Sequence, residues 1–316
     1  MSKKIDYVVG KMIARPYIIE MGAGRLSRWF RCTPEEIVEA RKIARATIRG
    51  EEMSKELPKL PNILILDIET APIKAYVWRL WKQDISIDSI VCDWFMLTWS
   101  AKWLFSAEVM SEKITGREAL EENDERIVRS LWDVLNRADI VIAHNGNSFD
   151  IPKINARMIK WGLPPTSPYQ QVDTKLIAQK QFGFSSNKLD GLAKLFGMNG
   201  KSYAPYQLWV DSLAGSDEAL QKMQDYNVND VIVLEEVYLR LRPWIKSHAN
   251  IALYGEGEKT ICPNCGGEEV EPDGNFYYTP AGRYATYRCK CGAVSRSRSS
   301  DLGKDERKNL IISVAR

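Results

Sequence analysis

The sequence predicts an α/β protein, a mixed sheet covered by helices, with a small helical unit before it and a cysteine-bearing module after it. Three observations carry this. The runs Ile63-Leu64-Ile65-Leu66 and Ile140-Val141-Ile142-Ala143 have the length and composition of buried strands. Between and after them, apolar residues recur at helical spacing. At both ends the composition changes: Pro58 and Pro61 read as a linker before the first run, and beyond His248 the chain turns to Gly, Cys and Tyr. The units expected are therefore residues 1–59, 60–248 and 249–316.

The first unit reads as wholly helical. Gly22-Ala23-Gly24 marks a turn, Arg25–Arg31 is a short apolar-basic segment, and Thr33 caps a helix that has Pro34 at its first position and Glu35 and Glu36 in its first turn. Ile37, Ala40 and Ile43–Ala44 continue at helical spacing. In the second unit the strand at Ile63 is followed by strands expected within Ile90–Thr98 and Trp103–Met110, then a helix over Arg117–Arg137. After the strand Ile140–Ala143, helices are expected at Ile151–Lys160, Thr174–Gln181, Leu189–Phe196 and Ser216–Leu241. Trp78, Trp81, Trp94, Trp99 and Trp103 alternate in a way that puts most of them in the core, with one or two left to line a cleft.

Bulk composition narrows the class. At 316 residues, two or three units are expected, and 45% apolar with 27% charged residues is ordinary for a globular protein. No apolar run suits a signal peptide or a membrane span, so a cytoplasmic protein is expected with no membrane partner. The net charge of +3 is uninformative, but its distribution is not. Residues 1–59 carry 13 Lys/Arg against 8 Asp/Glu and residues 283–316 carry 9 against 3, which leaves 22 against 30 between them from totals of 44 and 41. Basic ends around an acidic centre suit a metal-loaded core gripped onto a polyanion; they equally suit solvated tails.

Three acidic motifs occur in order. Asp67 and Glu69 close the first strand, and residues i and i+2 of a strand project from one face. Two carboxylates that close repel unless a cation neutralises them, which favours a hard divalent metal. His144-Asn145-Gly146-Asn147-Ser148-Phe149-Asp150 follows the second strand and brings Asp150 to a helix start, where a carboxylate is welcome. Tyr226 and Asp230, four apart on a helix, share a face. Separately, Asp150 is an ordinary cap and Tyr226 a packing residue. Together they are what phosphodiester hydrolysis requires: carboxylates to hold two metals that activate water and stabilise the leaving oxygen.

Asp67, Glu69, Asp150 and Asp230, with Tyr226 four residues before the last, resemble the DEDDy 3′→5′ exonucleases of the ribonuclease H-like superfamily, which include polymerase proofreading domains. The resemblance spans Asn62 to Trp244 and extends to Val172-Asp173-Thr174 and Lys188–Gly197. It implies a ribonuclease H-like sheet and two Mg²⁺ or Mn²⁺ ions. Asp67 would bridge them, Glu69 and Asp230 would complete one site and Asp150 would serve the other. Tyr226 would orient the attacking water; a related subclass has His there. Asn145 and Phe149 would touch nucleic acid. His144 reads as a structural hydrogen-bonding residue and not as a base.

Six cysteines are unevenly placed, with Cys32 and Cys92 isolated. Cys262-Pro263-Asn264-Cys265 and Cys289-Lys290-Cys291 form two pairs, and four thiolates suit a tetrahedral structural Zn²⁺. The segment resembles a zinc ribbon, although its second pair has one intervening residue where two are usual. Arg283, Arg288 and Arg296, interleaved with tyrosines, suit phosphate gripping and base stacking. The N-terminal unit resembles a helix-turn-helix with Arg41, Lys42, Arg45 and Arg49 on its second helix, though Glu35, Glu36 and Glu39 weigh against base reading there.

The function expected is hydrolysis of single-stranded or frayed DNA from the 3′ end. DNA is preferred over RNA as partner, and a separate polymerase or a replication or repair protein is a possible second one. No polymerase segment follows the nuclease unit here, so proofreading would act in trans. An RNA exonuclease, a structure-selective nuclease and a nucleic-acid-binding accessory protein are the alternatives.

Overall fold

The computed structural model describes residues 3–50, 61–198, 204–255 and 260–314. Its centre is a five-stranded sheet built from β1 (Ile63–Thr70), β4 (Met96–Trp103), β5 (Met110–Lys113), β6 (Ile140–Ala143) and β7 (Gln170–Asp173). The order is β5-β4-β1-β6-β7; β5, β4 and β1 pair antiparallel, while β1, β6 and β7 run parallel. This is the expected mixed α/β architecture of the ribonuclease H-like kind. A two-stranded ribbon, β2 (Lys74–Ala75) with β3 (Ile90–Cys92), stands apart from it.

Alternation along β1 separates two cores. Leu64, Leu66 and Ile68 pack with α5 (Glu125–Leu135) and α6 (Asp150–Lys160), whereas Ile63 and Ile65 pack with the later half of α10 (Asp217–Leu241). Helices α7 (Thr174–Gln181) and α8 (Leu189–Leu195) complete the second face. Asp67 and Glu69 continue the Ile63–Ile65 row, so the pleat aims them at α10.

Two buried ion pairs fix helices to this sheet. Asp124, at the start of α5, accepts from Nε and Nη2 of Arg157 on α6, each at 2.6 Å, from the indole N–H of Trp161 and from the Met96 amide. On the other face Lys102 of β4 meets Glu235 of α10 at 2.5 Å, and Glu235 also accepts the amide of Phe105, which is held in the left-handed region at φ 74°.

Local predictions failed in identifiable places. Of the two strands expected next, β3 and the start of β4 fall within Ile90–Thr98, but Trp103–Met110 holds only the end of β4 and the start of β5, because residues 104–109 form a turn around Phe105. The single helix over Arg117–Arg137 is two, α4 (Gly116–Leu120) and α5, broken where Asp124 turns inward to Arg157 and Glu122 adopts φ 53°. Helix α9 (Tyr206–Leu213) was unforeseen. Of the tryptophans, Trp99 is buried and Trp94 and Trp103 are half-buried, but Trp78 and Trp81 are fully or largely exposed rather than core.

The N-terminal unit is helical as expected: α1 (Lys3–Ala14), α2 (Ala23–Phe30) and α3 (Pro34–Gly50), with Thr33 and Glu36 capping α3 reciprocally. Gly24 lies inside α2 rather than in a turn. The unit is seated on the central α/β unit: Trp29 packs edge-on against Phe105 at 4.2 Å, and Arg25 reaches Glu235 and Glu236. Arg41 donates to the Met21 carbonyl and Arg45 pairs with Glu20, so both serve the unit's own packing. The linker expected around Pro58 lies outside the described residues, as does the side chain of Arg49.

The C-terminal module has β8 (Val270–Thr279), β9 (Gly282–Cys289) and β10 (Val294–Arg296) in one antiparallel sheet, then a short helix, α11 (Lys304–Lys308). Asn264 ties it to the end of α10 by donating to the carbonyls of Arg242 and Ile245.

Candidate active site

The site forms where the parallel ladder ends. β6 pairs with β1 only from Ile63 to Ile65 and stops at Ala143, which leaves the next amides of β1 without a strand partner on that side. The chain turns through residues 144–149 and enters α6, and the Asp150 carboxylate takes the Ile68 amide at 3.2 Å. Asp150 thus lies against the residue between Asp67 and Glu69. The turn is tight: a Cβ on Gly146 would fall 2.4 Å from the Ala143 Cβ, and Asn145 adopts φ 81°.

Asp173 holds this turn from below. Its carboxylate accepts the amides of Asn145 and Asn147 as well as those of Lys175 and Leu176 at the start of α7. His144 is used in the same scaffold. Its Nε2 faces the Asn187 carbonyl at 3.0 Å and therefore donates, and its Nδ1 faces the Thr174 hydroxyl at 2.9 Å. Both ring nitrogens are committed to packing.

Helix α10 supplies the rest. Asp67, Glu69 and Asp230 each offer an oxygen within 4.8 Å of the others, close to the ~4.2 Å that spans an octahedral Mg²⁺ shell. Mutually repelling carboxylates at this range are what a hard divalent cation neutralises. Asn227, wholly buried one turn before Asp230, donates to Asp67 at 2.6 Å and fixes which oxygen Asp67 presents. Tyr226 is half-buried, with its ring edge-on to Trp209 at 6.5 Å. Asp150 stands outside the three-acid cluster. Burial pushes its carboxyl up to about 7, the charge of Asp173 adds to the rise, and its backbone hydrogen bonds oppose it.

A cleft of about 580 Å³ opens at the end of β1, walled by Thr70, Ile73, Trp94, Tyr206 and Trp209, with Lys153 the one charged lining residue among the described residues. The ammonium of Lys153 sits 3.7 Å from the Trp94 ring centroid and 5.1 Å from that of Phe149. Asn145 accepts from Lys175 at 3.1 Å, and Phe149 is partly exposed. Asn227, Asp173 and Lys153 had no sequence-based role; the only signal for Asn227 was its helical spacing from Asp230.

The four clustered cysteines converge too. Their sulfurs lie within 4.8 Å of one another, with Cys262–Cys291 at 3.8 Å and Cys265–Cys289 at 3.6 Å. Tetrahedral thiolates around an ion at about 2.3 Å stand about 3.8 Å apart, whereas a disulfide requires about 2.05 Å. The single residue between Cys289 and Cys291 is accommodated by Gly292 at φ 93°. Nearby on the module's sheet, Arg296 lies over Tyr277 and Tyr284 and Arg283 over Phe276, with Arg283 also paired to Asp301; Arg288 is exposed.

A sequence profile of the RNase H superfamily matches residues 102–242, which include Asp150, Tyr226 and Asp230. The chain carries an RNase H-like superfamily domain, and Asp67 and Glu69 join it through the pairing of β1 with β4 and β6. Over 105 residues the chain is 30% identical to the PolC-type DNA polymerase III of Ureaplasma parvum serovar 3; the match covers 33% of this chain and 7% of that polymerase. The solved family B DNA polymerase of the hyperthermophilic archaeon Pyrobaculum calidifontis superposes on 60% of this chain and 26% of its own at a TM-score of 0.44 and 18% identity. Among the described residues no helix is long and apolar enough to cross a membrane.

Proposed function

We propose that the protein is a 3′→5′ exonuclease of the DEDDy kind that removes nucleotides from single-stranded or frayed DNA. The observation that carries this reading is the convergence of Asp67, Glu69 and Asp230, with Asp150 docked on the amide between the first two. The similarity to a polymerase of the PolC type supports DNA as substrate and a polymerase as the partner whose products it trims.

Two Mg²⁺ or Mn²⁺ ions bound by these acids would supply an activated water and charge stabilisation at the phosphate. Asp67, Glu69 and Asp230 would hold one ion, and Asp150 would serve the second. Tyr226 directs its hydroxyl at the attacking water. Water adds to phosphorus, the bond to the 3′ oxygen breaks, and a nucleoside 5′-monophosphate leaves a strand one nucleotide shorter. The four cysteines would hold a structural Zn²⁺, and the basic, aromatic sheet that follows them would contact the strand.

The test is a 5′-labelled oligonucleotide, as DNA and as RNA, with wild type, Asp67→Ala and Asp230→Ala in Mg²⁺ and Mn²⁺. A ladder shortening from the 3′ end with wild type alone is expected. Equal cleavage by Asp230→Ala would overturn the assignment, and faster cleavage of RNA would transfer it to that substrate. Elemental analysis should find one zinc per chain, which Cys262→Ser removes.

A further inference from the structure

Directly after the strand that bears Asp67 and Glu69, the chain makes an excursion that no layer covers among the described residues. The β2–β3 ribbon closes its neck, with the Tyr76 amide donating to the Ser89 carbonyl at 2.9 Å. Within residues 76–89 regular structure is confined to one 3₁₀ turn at Ile87–Ser89, capped by Ser86. Trp78 is 100% exposed, Leu80 83%, Trp81 80% and Tyr76 79%. Four large apolar side chains held in water within six residues are a standing cost that burial against a partner recovers.

Location and composition together choose the partner. The neck is continuous with the cleft, since Thr70, Ala71, Pro72 and Ile73 line that cleft and lead into β2. The excursion therefore leads into a cleft that begins at the residue after Glu69. Its exposed aromatics alternate with cations, Trp78-Arg79-Leu80-Trp81-Lys82, the pattern that stacks bases and meets phosphates. Leu80 is of the type that wedges between bases.

We propose that residues 76–89 form a stacking arm for an unpaired nucleic-acid strand, holding the nucleotides that lead into the cleft and favouring single-stranded over paired ends. The arm rests on the nuclease reading and adds to it how the substrate is selected. A paired end presents no free base faces to Trp78 and Trp81, so it loses the arm's contribution until it frays.

The test measures binding and turnover separately on the full chain. Affinity for a fluorescein-labelled oligothymidylate is read by anisotropy in EDTA, where no cleavage occurs, for wild type, Trp78→Ala/Trp81→Ala and Trp78→Phe/Trp81→Phe. The alanine pair is expected to weaken binding about tenfold or more, and the phenylalanine pair to restore it to within about threefold. In Mg²⁺ the alanine pair should also narrow the preference for single strands over blunt duplex. An unchanged Kd in the alanine pair, with wild type cleaving normally, overturns the arm and leaves the nuclease standing. The same unchanged Kd with loss of a co-purifying protein assigns the loop to a protein partner and overturns it equally. Binding without metal-dependent cleavage by wild type overturns the nuclease reading instead.

Discussion

The Asp150 carboxylate accepts the Ile68 amide at 3.2 Å, so an acid from α6 lies against the strand residue that separates Asp67 from Glu69. This contact replaces the ladder bond that β6 would have made had it continued. Burial has raised the Asp150 carboxyl to about 7, so the cation-free protein bears the cost of a buried acid where we propose a metal complex. Asp150→Asn keeps an oxygen for Ile68 and removes the charge. Its melting temperature without divalent cations should equal or exceed that of wild type. Its cleavage rate should fall on the order of 10²-fold or more. Calorimetry in EDTA and the labelled-strand assay check the two halves.

Asn227 offers the complementary case, a neutral residue that orients a charged one. Its amide donates to Asp67 at 2.6 Å from a wholly buried position on α10. Asn227→Leu keeps the volume and loses the donor, freeing Asp67 to rotate. Affinity for Mn²⁺ should fall about 10- to 100-fold, the usual cost of removing a residue that orients a metal ligand. Titration of Mn²⁺ by calorimetry with the fold checked by circular dichroism measures it; an unchanged affinity would remove Asn227 from the site.

How far the sequence discloses this site depends on the range of the interactions. Asp67 and Glu69, Tyr226 and Asp230 are legible because strand and helix periodicity alone puts each pair on one face. The helices α6, α7, α8 and α10 are legible for the same reason, and Thr33 and Pro34 mark α3 by local capping chemistry. What was hidden is long-range. Nothing near Asp124 reveals that it will face Arg157, 33 residues away, and that choice breaks a segment otherwise fit for one long helix. Trp78 and Trp81 obey the pattern of core residues and yet are exposed, because the β2–β3 neck lifts their segment off the sheet.

The Asp124–Arg157 pair should matter for stability through what its loss leaves behind. Both side chains are buried, and Asp124 additionally accepts from Trp161 and Met96. Asp124→Ala strands a guanidinium in the core and leaves the indole and amide hydrogens unpaired. A loss of about 3–5 kcal/mol is expected, read as a lower midpoint in urea unfolding. Replacing both partners, as Asp124→Ala with Arg157→Met, should recover part of that loss, because no charge is then left alone in the interior.

Acid should loosen the end of α10. His248 Nδ1 faces the Ala249 carbonyl at 2.7 Å and must donate to it, which leaves Nε2 to accept from the buried Tyr238 hydroxyl at 2.7 Å. A neutral ring satisfies both contacts. Burial lowers His248 to about 4, and the neighbouring Arg242 opposes its protonation further. The unfolded chain binds this proton near pH 6.5 and the folded one only near 4, so the stabilisation is complete above about 6.5. It is lost progressively as pH falls from there to about 4. For a partly screened ring the loss is about 2 kcal/mol. Urea unfolding at pH 7 and pH 4.5 isolates it when wild type is set against His248→Gln, whose amide oxygen still accepts from Tyr238 but does not titrate. Wild type should lose about 2 kcal/mol more than the variant over that interval, while carboxylates common to both proteins cancel. Because Tyr238 lies two turns beyond Asp230 and Arg242 carries the seat of the cysteine module, this loosening should show first as faster amide exchange at the helix end.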